Sequence, residues 1–202
     1  MSKHVDVVII GAGSAGLASL RQVRKHTEHF LLVNDGPYGT TCARVGCMPS
    51  KALIEAANAY HARIKAAAFG IRGSEHLSID IPAVMQRVRA LRDRFVGGVL
   101  KSTEALGERS IAGRARLLGP NKVAVGDEVF HARSIIIATG SSPVVPKPWQ
   151  ALGNRLLTTD TFFDQETLPQ RMAVIGLGAI GVEMAQALSR LGGEVHAFDG
   201  SD

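Results

Sequence analysis

The sequence predicts an α/β fold with two nucleotide-binding starts, and three observations carry that expectation. A strand-like run, Val5–Ile10, passes directly into Gly11-Ala12-Gly13-Ser14-Ala15-Gly16 and a helical pattern. The same arrangement returns 165 residues later (176 − 11), where Met172–Ile175 runs into Gly176-Leu177-Gly178-Ala179-Ile180-Gly181. Between the two lies Gly39–Lys51, which holds the only cysteines of the sequence, Cys42 and Cys47.

Composition narrows the classes. The 202 residues are 46% hydrophobic, enough for a real core and for one or two domains. Glycine supplies 22 of the 202, above the usual share of about 7%, and gathers in turn clusters. The net charge of +5 comes from scattered basic residues without interleaved aromatics. Nucleic-acid binding is therefore not expected, although the field would attract phosphate-bearing ligands. No apolar run approaches the roughly 20 residues that cross a bilayer. Met1–Asp6 lacks the features of a signal peptide, so the expected setting is cytoplasmic. Two cysteines there point to redox or metal chemistry before a structural staple, and no histidine follows them at ligand spacing, so no metal is expected.

Taken in order, Val5–Ile10 is β-branched throughout apart from Asp6 and reads as a buried parallel strand. Leu17, Leu20 and Val23 then recur at helical spacing, and Phe30–Val33 reads as the next strand. This is the context in which a Gly-x-Gly-x-x-Gly turn cradles a pyrophosphate. Gly11 makes the turn, Gly13 admits close approach of the phosphates, and Gly16 packs helix on strand. The residue expected to meet a ribose hydroxyl, at the end of the second strand, is Asn34, with Asp35 next to it.

Residues five apart in a regular helix lie roughly 8–9 Å apart between Cα atoms, whereas a disulfide needs about 4.4–6.8 Å. Cys42 and Cys47 can bridge only where the chain between them is not regular helix. Gly46 and Pro49 permit such a departure. A strained or exposed bridge is the labile kind. A helix starting after it would place its positive end near the thiols and favour thiolate. The alternative is a pair of reduced, buried cysteines in a core.

Ala52–Ala68 reads as helix, Arg72–Ser78 as loop. Pro82 suits a helical first turn, and Val84, Val88, Leu91, Phe95 and Val99 form a stripe that continues to about Leu106. The flanking Arg87, Arg89, Arg92 and Arg94 read as a solvated face. Ser110–Leu118, Lys122–Val125 and Glu128–Ala132 form a β-meander between turn signals, followed by a separate buried strand, Ser134–Ala138, and the turn Thr139-Gly140. Pro143, Pro146 and Pro148 suggest a linker. In the second unit the helix carries Val182, Ala185, Leu188 and Leu191, and Glu194–Phe198 is the following strand. Asp199 stands 18 residues after Gly181 (199 − 181), about where an acid binds a free ribose 2′-hydroxyl, which favours NAD over NADP. Two strands alone cannot cover both faces of a parallel sheet, so the sequence is expected to be the N-terminal piece of a longer protein.

The ordered set Gly11-x-Gly13-x-x-Gly16, Cys42-x4-Cys47-x-Pro49-Ser50-Lys51, Ala138-Thr139-Gly140 and Gly176-x-Gly178-x-x-Gly181-x-Glu183 resembles the flavin-dependent pyridine nucleotide–disulfide oxidoreductases over essentially the whole chain. The Pro-Ser-Lys-Ala-Leu segment most resembles that of dihydrolipoamide dehydrogenases, and mercuric reductases share much of it. The resemblance implies a Rossmann-like FAD-binding domain (1–145) with an inserted helical crossover and the meander. A linker (146–168) and the start of a second Rossmann-like, NAD-binding domain (169–202) would follow. FAD would contact Gly11, Gly13, Ser14, Gly16, Asn34, Asp35, Gly39, Thr41, Lys51, Gly113, Ala138, Thr139 and Gly140. NAD would contact Gly176, Gly178, Ile180, Gly181 and Asp199. Cys47 would face the flavin, Cys42 would be the interchange thiol, and Lys51 would pair with Glu183 near the flavin.

The implied reaction passes electrons between a small dithiol or disulfide, or a lipoyl group on a carrier protein, and FAD and NAD. A homodimeric parent without membrane contact is implied. The alternatives are a mercuric or other disulfide reductase and, in another class, a noncatalytic flavin-binding redox sensor. The family pattern also includes a second FAD segment ending in Gly-Asp and a dimerisation domain carrying a His–Glu base. Neither is found in this sequence, so the chain by itself is not expected to turn over.

Overall fold

The computed structural model describes residues 2–200. Met1, at the head of the N-terminal segment, and Ser201 and Asp202, which close the second expected domain, lie outside the described residues. The chain divides into two compact units. One comprises 1–44 and 93–153, the other 45–92 and 154–202.

The first unit is built on a six-stranded sheet in the order β3-β2-β1-β6-β5-β4. Its strands are β1 (Ser2–Ile10), β2 (Phe30–Asn34), β3 (Ser110–Ala112), β4 (Ala115–Gly119), β5 (Lys122–Val125) and β6 (Glu128–Ile137). The first four strands in that order run parallel, and β5 and β4 are added antiparallel. Val8, Leu31 and Val33 pack on one face with Val123, Val125 and Phe130. Ile9, Phe30 and Leu32 pack on the other, where helix α1 (Ser14–Val23) contributes Leu20. Both faces are thus covered, which is why these strands read as continuous apolar runs rather than as alternation.

Two expectations for this unit change. Ser110–Leu118 is not one strand: it breaks at Gly113-Arg114, and β3 pairs parallel with β2 at the opposite edge from β4. The stretches 128–132 and 134–138 are not separate. They form one ten-residue strand whose first part pairs with β5 while its whole length lies along β1. Arg133-Ser134, polar in the middle, looked like a boundary, but both are exposed residues within a ladder that keeps its register along β1.

The second unit holds α3 (Cys47–His61), the N-terminal part of α4 (Ile81–Glu104), α5 (Thr159–Phe162), β7 (Arg171–Ile175), α6 (Ala179–Arg190) and β8 (Glu194–Phe198). Helix α3 begins at Cys47, five residues before the expected start, because Gly46 already makes the break and Pro49 fits the first turn. Past His61 the chain tightens into 3₁₀ turns to Phe69 and stops at Gly70, whose φ is +75°. Asp80 Oδ1 accepts the Ala83 N–H at 3.0 Å and starts α4. β7 and β8 form a parallel pair.

Leu53 and Ala57 of α3 share one core with Met85, Val88, Phe163, Ala187 and Leu191. The segment read as a linker is structured. Lys147–Arg155 forms 3₁₀ turns, and α5 is fixed by a reciprocal cap between Thr158 and Thr161. Phe163 directly after it is 2% exposed. The arginines are not uniformly solvated: Arg89 donates to the Gln165 carbonyl and Arg92 to Asp164 Oδ1, tying the turn after Phe163 to α4. Phe95, expected on the apolar stripe, is exposed, and Met85 is buried in the core.

Candidate nucleotide and dithiol site

In the first unit the ends of the parallel strands are level. Ile10 is in register with Val33 and with Ile137, and Asn34 with Ala112. Ligands of open α/β sheets sit beyond such carboxyl ends. Four expected segments converge there: the Gly11–Gly16 loop, Asn34-Asp35, Gly113 and Ala138-Thr139-Gly140.

The loop's geometry separates the roles of its glycines. Gly11 has φ +107°, and a Cβ on it would lie 2.2 Å from the Ala138 carbonyl oxygen. A Cβ on Gly16 would lie 1.8 Å from the Gly11 oxygen. A Cβ on Gly13, the residue before α1, would meet nothing within 4 Å. That open side, facing the first N–H groups of α1 with Ser14 at its start, is the space a pyrophosphate requires. The Ala12 N–H donates to Asn34 Oδ1 at 2.9 Å, and Asn34 Nδ2 donates to the Gly36 carbonyl at 2.9 Å. Asn34 therefore braces the glycine loop, a task that its expected ribose contact did not reveal. Asp35 beside it is exposed. The Gly113 N–H donates to the Asn34 carbonyl at 2.9 Å, which places the turn after β3 at the same edge. Thr139 and Gly140 are exposed beyond β6, with φ +71° at Gly140.

Upstream of the dithiol, Gly39 has φ +113° and packs against Val96 and Arg44. Thr40 is the one non-glycine among the described residues with positive φ, at 60°. Its Oγ1 accepts the Ala43 N–H at 3.1 Å and so caps the short helix α2 (Thr41–Arg44). A β-branched residue in this region is strained. Thr40→Asn keeps an accepting oxygen and tolerates the conformation, so it should stabilise the chain by about 0.5–1 kcal/mol. Thr40→Val keeps the strain and loses the cap, and should cost about 1 kcal/mol. Urea unfolding of the two variants checks both signs.

Cys42 lies half-buried on α2, and Cys47 is the exposed first residue of α3. Helix interrupts the dithiol loop on both sides, with the departure from regularity concentrated at Gly46 (φ −125°, ψ −120°). The Ser50 N–H donates to the Gly46 carbonyl and Ser50 Oγ to the Cys47 carbonyl, so the first turn of α3 is closed around Cys47.

In the second unit the glycine loop repeats the first. The Gly176 N–H donates to the carbonyl of Phe198 at 2.8 Å, as that of Gly11 does to Val33 at 2.7 Å. A Cβ on Gly181 would lie 1.8 Å from the Gly176 oxygen, and a Cβ on Gly178 would meet nothing. Ile180 and Asp199 are exposed, and Asp199 Oδ1 accepts the Gly200 N–H at 2.8 Å. Lys51 Nζ, one helical turn after Cys47, donates to Glu183 Oε2 on α6 at 2.5 Å. The two side chains are 57% and 46% exposed, so the pair adds at most about 1 kcal/mol to stability.

The family model for the pyridine nucleotide-disulphide oxidoreductases matches residues 5–202. Dihydrolipoyl dehydrogenase 2 (chloroplastic) of Arabidopsis thaliana is 35% identical over 205 residues, covering 98% of this chain and 35% of that protein. Glutathione reductase of Schizosaccharomyces pombe is 34% identical over 207 residues, covering 98% of this chain and 44% of that protein. Among solved structures, the Cu(II) complex of the HOCl-induced flavoprotein disulfide reductase RclA from Escherichia coli matches with a TM-score of 0.81 at 23% identity, covering 100% of this chain and 43% of that one. The chain thus spans less than half the length of these relatives. A family model matching nearly every residue, on a fold with two like glycine loops, leads to one statement: the chain belongs to the pyridine nucleotide-disulphide oxidoreductase family.

Proposed function

We propose that the chain supplies the FAD-holding and dithiol-bearing parts of an oxidoreductase that passes electrons between a dithiol, FAD and NAD, with dihydrolipoamide as the dithiol. One observation carries this reading: the Lys51–Glu183 pair ties the helix that begins with Cys47 to the helix that begins with the second glycine loop. An exposed pair worth little in stability is of use where a cation must stand beside a flavin that gains negative charge on reduction.

The residues fit FAD. Gly13 leaves room for the pyrophosphate, Gly11 and Gly16 close the turn beneath it, and Asp35 offers a carboxylate to the ribose. FAD, when bound, supplies two-electron redox chemistry linking the dithiol to the nicotinamide. The chain's own part is thiol–disulfide exchange. A substrate thiolate attacks Cys42 Sγ of the oxidised pair, forming a mixed disulfide and releasing Cys47 as thiolate. The second substrate thiolate attacks the substrate sulfur of that mixed disulfide, closing the substrate disulfide and releasing Cys42. Two electrons have then moved to the cysteine pair, and the two substrate protons leave to solvent or base.

A second reading is favoured by the similarity to glutathione reductase: the same exchange run towards reduction of a disulfide. The cytoplasmic setting, a homodimeric parent and a lipoyl group on a carrier protein belong to the first reading. The test is turnover by the full-length protein. Dihydrolipoamide with NAD⁺ should yield NADH, and Cys47→Ser should lower kcat by more than about a thousandfold. Faster oxidation of NADPH by glutathione disulfide would establish the second reading. Turnover that survives Cys47→Ser would overturn both.

A further inference from the structure

At the other end of the first sheet, away from the glycine loop, lies a cleft to which none of the roles above extends. Its walls include His4, Asp6, His29, Asn121, His131 and Arg133. His4 on β1 and His131 on β6 are register partners. Their rings stack with centroids 5.0 Å apart and planes at 20°. His4 is exposed and His131 half-buried. Among the described residues neither imidazole hydrogen-bonds to a protein group.

We propose that His4 and His131 form a two-imidazole chelate for a late first-row divalent cation (Ni²⁺, Cu²⁺ or Zn²⁺), clipping β1 to β6. Imidazole is the ligand type that suits these metals. Bonds of about 2.0–2.1 Å to one ion bring two nitrogens to roughly 3 Å from each other. Stacked rings aim their nitrogens side by side, so each ring turns about its Cβ–Cγ bond until one nitrogen of each meets the ion. The nearby cations do not repel the ion unopposed. Arg133 Nη1 stands 3.7 Å from Asp6 Oδ1, and Lys3 Nζ bonds Glu128 Oε1 at 2.5 Å. Asp6 Oδ2 also accepts from the Thr27 hydroxyl at 2.6 Å, so the carboxylate is held in its role as the arginine's partner. Water completes the coordination, which makes the ion exchangeable rather than structural. The two ligands are 127 residues apart (131 − 4) and meet only in the folded sheet, so the ion binds the folded chain in preference to the unfolded one.

The experiment is calorimetric titration of Ni²⁺ into the chain carrying Cys42→Ser and Cys47→Ser, so that thiols do not compete. Thermal unfolding with and without Ni²⁺ is measured in parallel. One ion per chain and a raised Tm are expected. His4→Ala and His131→Ala should each weaken binding at least tenfold and remove the rise in Tm. His29→Ala should change affinity less than twofold. No saturable binding, or binding untouched by either substitution or by one of the two, overturns the proposal. So does an equal loss in His29→Ala. Circular dichroism of each variant in the absence of metal verifies that the sheet is intact. The inference is independent of the flavin and dithiol reading.

Discussion

Gly16→Ala should cost the chain about 3 kcal/mol or more and abolish nucleotide binding at the first loop. The reason is geometric. The new methyl would stand 1.8 Å from the Gly11 oxygen and 2.9 Å from the Gly11 carbonyl carbon. Both atoms are backbone, and Gly11 cannot retreat, because its own Cα already faces the Ala138 carbonyl. Relief requires α1 to lift from the sheet, withdrawing Leu20 from Ile9, Phe30 and Leu32. Gly13→Ala separates stability from binding. Its methyl meets nothing within 4 Å, so urea unfolding should shift by less than about 1 kcal/mol. Yet the methyl enters the space left for a pyrophosphate, and FAD affinity, followed by flavin fluorescence, should fall. Equal stability losses in the two variants would show that the loop is not packed as described.

Phe163→Ala should be the most damaging single truncation in the second unit, at about 3–5 kcal/mol. Phe163 is 2% exposed, meets Phe162 edge to face with centroids 5.2 Å apart, and shares a core with Leu53, Met85, Val88 and Leu191. The turn after it cannot collapse into the void, because Arg89 and Arg92 hold Gln165 and Asp164 in place. Phe163→Leu, which refills most of the space, should recover more than half of the loss in the same urea experiment. A loss below 1 kcal/mol for the alanine variant would mean that α5 is not anchored through this side chain.

Where the sequence was legible, one backbone requirement left one mark. Both glycine loops are instances: their spacing follows from a turn, an open side and a helix contact, and each glycine has one of those duties. The parallel strands were legible as continuous apolar runs, and the buried side of α6 was legible in part: Leu188 and Leu191 of the expected face are buried, whereas Val182 is exposed and Ala187 takes a place in the core. The misread places are those where long-range partners decide. Nothing local in Ser110–Ala112 says that it joins β2 rather than β4, since the choice is made by the Leu32–Ser110 register. Phe163 follows a proline-rich stretch, and its core forms only when α3, α4 and α6 pack around it. Arg89 and Arg92 have the composition of a wet helix face, yet their partners lie 76 and 72 residues away. Asn34 was read for its ligand alone. The Ala12 N–H that it accepts is visible only once the loop is folded against β2.

The long β1–β6 ladder has a consequence for the order in which the protein comes into being. β1 is the third strand of the sheet, flanked by β2 and β6. Its first neighbour follows within the next 20 to 30 residues, but Val8 meets Ile135 only after 127 more have been made (135 − 8). At about 5–20 residues per second a ribosome needs roughly 6–25 s for that stretch. Throughout it, one side of β1 offers unpaired amides and carbonyls along an apolar strand. Nascent chains are thus born with an adhesive edge, and β6 is the segment whose arrival seals it.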